Sequence, residues 1–172
     1  MAAKADENEY FVREIERNDG CALKVKQCFL GDVGCVVWDA AIVLAKYLET
    51  KQFYDPSSGV NVWSGRTVLE LGAGTGVVVL CLNIKIFKRH SLHYYYVLSI
   101  VPLVESLKLL CGPETCIVCC YEQRTEGVNP EVERQFFELL QQNFCCEEIP
   151  SEKQDPEFSS PDIHILHIRR KA

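Results

Sequence analysis

The sequence predicts an α/β fold, and three features carry that reading. Val68-Leu69-Glu70-Leu71 is an apolar run broken by a single acid, and it opens into Gly72-Ala73-Gly74-Thr75-Gly76, with a glycine at every second position. Such a run reads as a buried strand feeding a helix, and residues without side chains let the backbone pass close to a ligand. Trp38, Ala41, Ile42, Ala45 and Leu48 recur at helical spacing. Thr115 to Tyr121 and Ile163 to Ile168 are apolar runs of strand length.

Taken in order, residues 1–9 read as a flexible N-terminus and 10–172 as a single domain. Phe11 to Ile15 and Leu23 to Lys26 flank Asn18-Asp19-Gly20, whose Asp-Gly pair is a hairpin signal. The helix over 38–48 follows, and its apolar stripe turns toward the core. Tyr54 to Gly59 is a loop by its turn residues, leading into the strand before the glycine turn. After the glycines, residues 77–104 hold aromatic and aliphatic residues, among them Tyr94, Tyr95 and Tyr96, without a period of two or 3.6. The stretch reads as divergent and irregular. Lys85, Lys88, Arg89, His90 and Pro102 interrupt it too often for a membrane span.

From Leu103 the helical spacing returns with Leu107 and Leu110, and Gly112-Pro113 ends it. Asn129-Pro130 starts another helix, with proline at its first position, Glu131 and Glu133 in its first turn, and Phe136, Leu139 and Leu140 facing inward. Phe144 to Ile149 and Ile163 to Ile168 form an antiparallel strand pair around a polar surface loop, Ser151 to Ser160.

The glycine spacing narrows the ligand. Dinucleotide sites use G-x-G-x-x-G and seat a pyrophosphate on a helix N-terminus; here the pattern is G-x-G-x-G, and Glu70 stands two residues before it. A carboxylate there accepts hydrogen bonds from an amine or ribose and repels phosphate. S-adenosylmethionine, a cation without phosphate, suits this better than NAD.

A net charge of −6 over 172 residues argues against general nucleic-acid binding, which needs a basic footprint, and leaves room for a cationic substrate such as a lysine side chain. The ten cysteines lie largely inside apolar runs behind an N-terminus without a signal-peptide core, so they read as reduced thiols of a cytoplasmic protein. Cys116-Ile117-Val118-Cys119-Cys120 contains a C-x-x-C, but no second pair at zinc spacing accompanies it. His164 and His167 sit in a strand pattern and read as core or half-exposed residues; no metal site is expected.

Three stretches carry a family resemblance: Gly34-Cys35-Val36-Val37-Trp38-Asp39-Ala40-Ala41, Leu69 to Gly76, and Cys119-Cys120-Tyr121-Glu122-Gln123-Arg124-Thr125. With them the chain resembles the seven-strand S-adenosylmethionine-dependent protein-lysine methyltransferases of the methyltransferase-like 21 group. The resemblance covers about residues 10–80 and 103–171. It implies a Rossmann-like seven-strand (class I) methyltransferase fold with an N-terminal β-hairpin, and a cytoplasmic, monomeric enzyme that methylates a lysine of the AAA ATPase chaperone valosin-containing protein. Trp38 would pack against the cofactor; Glu70 and the Gly72, Ala73, Gly74, Thr75, Gly76 backbone would hold its amino-acid end. Tyr121, Glu122 and Arg124 would lie on the substrate side. Methyl transfer of this kind needs a neutral lysine amine aligned in a dry channel, and no nucleophilic side chain.

The chain also departs from that pattern. A full fold needs three further parallel strands after the glycine turn, each with a crossover of about 25 to 30 residues or more, and residues 77–114 leave room for roughly one strand and one or two helices. The family's second strand ends in an acid that binds the ribose; no Asp or Glu occurs between Gly76 and Glu105. The acceptor-side Asp-x-x-Tyr motif is missing as well. Residues 77–104 therefore read as foreign sequence joining two family segments, as an alternative transcript would produce. The fold is expected to be shortened, and a catalytically inactive, partner-binding form is the competing expectation.

Overall fold

The computed structural model describes residues 10–30, 33–82, 87–90 and 99–171, with 87–90 taken as backbone only. The expected flexible segment 1–9, Lys85 and Tyr94 to Tyr96 lie outside the described residues. Contacts gather the chain into two compact units, 1–93 and 94–172. Among the described residues every sheet closes within one unit, and each sheet holds two or three strands. The architecture is mixed α/β, and among the described residues no sheet has seven strands.

The first unit opens with the expected hairpin. Strands β1 (Tyr10–Glu16) and β2 (Ala22–Cys28) pair antiparallel, with Glu16 opposite Ala22. Arg17 donates its amide to Cys21 at 2.8 Å, and Gly20 takes a φ of +81°, which a residue with a Cβ adopts at a cost. The alternation of the strands buries Ile15 and Val25 on one face. Helix α1 (Asp39–Leu48) follows with Trp38 at its N-cap, and it buries Ile42, Ala45, Tyr47 and Leu48.

A polar network pins α1 to the hairpin turn. Lys46, whose side chain is 7 % exposed, donates its ammonium to the Glu16 carbonyl at 2.5 Å and to Asn18 Oδ1 at 3.0 Å, and it pairs with Glu49 at 3.7 Å. Glu49 in turn accepts the Asn18 amide at 3.0 Å. A buried ammonium is tolerable only with such partners. Burial nevertheless dominates at Glu49 and raises its pKa above the ordinary carboxylate value.

The expected loop after α1 is a small hairpin: β3 (Tyr54–Asp55) pairs with β4 (Val60–Asn61). Asp55 organises its turn by accepting the Ser57 amide at 3.0 Å and the hydroxyls of Ser57 and Ser58 at 2.6 and 2.8 Å. Next, β5 (Val68–Leu71) leads through the glycines to α2 (Val77–Leu82) and a parallel partner strand, β6 (Phe87–His90). Within 77–104, where irregular structure is expected, the described residues include a helix over Val77–Leu82 and a strand over Phe87–His90. Val77 to Leu82 is apolar at every position, which erases the periodicity signal, yet burying Val77, Val78, Val79 and Cys81 selects the helix. Val77 and Cys81 join Ile15, Val25, Val37, Ile42 and Ala45 in one apolar cluster, each fully buried valine contributing roughly 2 kcal/mol.

The second unit places α3 (Ile100–Leu110) and α4 (Asn129–Leu140) with a three-stranded antiparallel sheet ordered β7 (Cys116–Glu122), β9 (Ile163–Arg170), β8 (Phe144–Glu148). Helix α3 starts at Ile100, before the Leu103 at which its spacing becomes legible, and Pro102 fits its first turn. Its C-terminus is capped from β9: Arg170 donates to the carbonyls of Lys108 at 3.2 Å and Cys111 at 3.0 Å. Helix α4 begins at Asn129-Pro130 as its sequence predicts, and Leu140 is fully buried while Phe136 and Leu139 are half-buried. The expected pair β8 and β9 forms, and β7 joins it on the other side of β9, so the C-terminal sheet has three strands.

Strand β9 is the centre of this sheet, and Ile165 and Ile168 on it are fully buried. His164 and His167 are half-buried on the same strand. Burial is the chief cause that lowers the His167 pKa below the ordinary 6.5, against an opposing pull from Glu147 across the ladder. A depressed imidazole favours the neutral form in the folded chain, so its contribution to stability is whole above about pH 6.5 and is lost as pH falls through the folded value. In an NMR titration His167 is expected to show a midpoint below 6.5; a midpoint at or above that value contradicts the burial shown.

Candidate functional site

The glycine turn is shaped by backbone sterics. Gly72, Gly74 and Gly76 have φ values of +71°, +48° and +78°, the left-handed region that residues with a Cβ enter only at a cost. The turn closes with the Gly76 amide donating to the Ala73 carbonyl at 2.6 Å, and the Leu80 amide then donates to the Gly76 carbonyl at 3.2 Å as α2 begins. A Cβ built on Gly74 would stand 3.5 Å from the Gly34 carbonyl oxygen. The first two motifs, far apart in sequence, therefore meet backbone to backbone.

Trp38 lies four residues beyond Gly34. Residues Val33–Cys35 form a short 3-10 turn, and the Trp38 indole N–H donates to the Val33 carbonyl at 2.8 Å. The bond fixes the ring, which remains 37 % exposed. Trp38 is thus not a plain core residue, and it keeps apolar surface available to a ligand. The neighbouring Val37 is held on both sides: its amide donates to Gln27 Oε1 at 2.5 Å and its carbonyl accepts from Arg13 at 3.3 Å. Glu70 is half-buried near the end of β5, Ala73 is buried, Thr75 is half-buried, and Gly72 and Gly74 are exposed. The strand paired with β5 carries Phe87-Lys88-Arg89-His90, a sequence without an acid.

The residues expected on the substrate side belong to the second unit. Tyr121, Glu122 and Arg124 line one cleft of about 450 Å³ walled by α3, α4 and β7. Tyr121 lies opposite His164 in the ladder, stacks on it at 5.3 Å, and donates its hydroxyl to Glu133 Oε1 at 3.2 Å. Burial first, and the Glu133 charge second, push the phenol pKa well above 10. Arg124 pairs with Glu122 at 3.2 Å. Glu133 was read from the sequence only as a first-turn acid; its place on the cleft wall needs the packing of α4 against β7 and had no local signal.

The thiol cluster is chemically quiet. No disulfide joins the ten cysteines, and burial pushes Cys119 to about 11 and Cys120 to about 12, so both are protonated at neutral pH. His164 bonds Glu148 at 2.7 Å. Among the described residues no helix is long and apolar enough to cross a membrane.

With this geometry in place, the match to known families can be read. A family model described as lysine methyltransferase matches residues 17–94, a little under half of the chain. The matched stretch contains both the Gly34 to Trp38 and the Glu70 to Gly76 segments. It supports a lysine methyltransferase family, a class that generally uses S-adenosylmethionine. The Cys119 to Thr125 segment lies beyond it.

The turn's conformation gives a direct test. Valine in place of Gly74 puts a β-branched side chain at a left-handed φ, and the Gly74→Val variant is expected to lose about 2 kcal/mol in denaturant unfolding. A loss no larger than that of an exposed surface substitution would show that the turn does not hold this conformation.

Proposed function

We propose that the chain is an S-adenosylmethionine-dependent protein-lysine N-methyltransferase acting on a lysine of the valosin-containing protein chaperone in the cytoplasm. The observation that carries the proposal is the left-handed glycine turn behind Glu70, brought against the Gly34 backbone within the stretch that the lysine methyltransferase family model matches. The choice of substrate rests on the resemblance to valosin-containing-protein lysine methyltransferase in the three motifs.

The residues present fit one end of the cofactor. Glu70 would accept hydrogen bonds from the amino group, the exposed backbone of Gly72 and Gly74 would lie along the amino-acid end, and the Trp38 ring would cover an apolar part. When bound, the cofactor supplies an electrophilic methyl group on a sulfonium. The ribose end is not matched, because no Asp or Glu lies between Gly76 and Glu105. That gap favours a second reading, in which the shortened chain is catalytically inactive and serves as a partner-binding fragment.

Purified protein incubated with labelled S-adenosylmethionine and the chaperone is expected to transfer label above a Glu70→Ala control; equal counts would remove the enzymatic reading. Isothermal titration with the cofactor separates the alternatives. Micromolar binding argues against the inactive form, while no heat at millimolar cofactor supports it.

A further inference from the structure

The strands differ in how they guard their edges. In the N-terminal hairpin, where each strand has one unpaired side among the described residues, β1 carries Arg13, Glu14 and Glu16 and β2 carries Lys24 and Lys26. In the C-terminal sheet β8 is one edge, and it ends in the exposed Glu147 and Glu148. Charges of this kind discourage a further strand. The other edge is β7, and Cys116-Ile117-Val118-Cys119-Cys120-Tyr121-Glu122 holds one charge, at its last position, with neither lysine nor proline. Its five central residues are only half-buried, whereas Ile165 and Ile168 on the neighbouring β9 are fully buried. Among the described residues no strand lies along the outer side of β7.

The side-chain pattern of β7 suits a second copy of itself. An antiparallel copy centred on Cys119 pairs all seven residues, with Ile117 facing Tyr121, Val118 facing Cys120 and Cys116 facing Glu122. The pairing is apolar through its middle and sets no like charges opposite one another, and such cross-strand pairs are what stabilise a sheet. Its two ends add charge complementarity. Cys116 lies opposite Arg169 in the ladder with β9, so Arg169, Cys116 and Glu122 of the second copy fall in one row on one face. Arg169 and Glu122 are both exposed, and Arg169 forms no salt bridge among the described residues. With neighbouring strands about 4.8 Å apart, the Cα atoms of that pair stand roughly 10 Å apart, a span that an arginine and a glutamate side chain close over the small Cys116. Two-fold symmetry repeats the contact at the other end.

We propose that β7 is a self-association edge: two copies of this chain pair antiparallel along Cys116–Glu122, about a two-fold axis at Cys119, and join their three-stranded C-terminal sheets into one of six strands. The two-fold uses the open edge of both copies, and the acids on β8 guard the edges that remain, so growth stops at two. The family resemblance implies a monomer; the unguarded edge is what sets this chain apart. The pairing involves neither the glycine turn nor a cofactor, so it stands whether or not the chain transfers methyl groups.

The test is analytical ultracentrifugation of the full chain in reducing buffer, over a concentration series reaching about 200 μM. A reversible equilibrium between monomer and dimer is expected. Glu122→Lys and Arg169→Glu are each expected to weaken it about tenfold, since each reverses two contacts per dimer, and the double variant is expected to regain most of that loss. Glu157→Lys, an exposed change of the same charge, is expected to leave it unchanged. Hydrogen exchange locates the contact, with amides within 116–122 expected to gain protection as concentration rises. A chain that stays monomeric throughout, a dimer indifferent to both charge reversals, or a dimer without added protection within 116–122 would each overturn the proposal. The exchange measurement on the unmodified chain decides the matter even if a variant fails to fold.

Discussion

The backbone approach of Gly74 to Gly34 is the constraint on which the first unit's functional reading depends. It requires three left-handed residues in succession at alternate positions, and only glycine holds such a path without strain. Because the turn is fixed at one end by β5 and at the other by the buried start of α2, the path is imposed by the apolar cluster around Val77 and Ile42. The hairpin and α1 serve the same end. Their shared core and the Lys46 network set where α1 begins, and with it where Trp38 stands. A surface that looks like a ligand cradle is thus the visible end of a packing arrangement that reaches back to Ile15.

In the second unit, the polar groups of the cleft hold one another. Tyr121 sits between His164 and Phe137, and its hydroxyl is satisfied by Glu133; Arg170 satisfies the end of α3. These bonds make the sheet and its two helices a self-consistent body, with an apolar cleft left along α3, α4 and β7. The adjacent thiols stay protonated through burial, which leaves carboxylates and aromatic rings as the cleft's working chemistry.

Much of this was legible in the chain itself. The hairpin over Asn18-Asp19-Gly20, the strand before the glycines and the proline-led start of α4 all follow from local signals, because each is decided by turn chemistry or by a clear period. Three features were not legible for physical reasons. Val77 to Leu82 is uniformly apolar, so nothing in it distinguishes a helix from a strand until the neighbours are known. The β3 and β4 hairpin is made by side-chain bonds to Asp55, which a composition of turn residues does not separate from a loop. The pairing of β7 with β9 is a long-range choice, and strand-like sequence does not name its partner. For the site, the cofactor-side residues came from a motif, whereas Glu133 emerged only from tertiary packing.

The account stands or falls on whether the glycine turn and Trp38 form one binding surface for the amino-acid end of a sulfonium nucleoside. The most direct measurement is an NMR titration of the chain with S-adenosylmethionine, set beside methylthioadenosine, which lacks that end. The account predicts that S-adenosylmethionine shifts the amides of Gly72 and Gly74 and the Trp38 indole N–H together, and that methylthioadenosine leaves the two glycine amides nearly unmoved. Shifts absent from all three groups, or equal for the two ligands at the glycines, would contradict it.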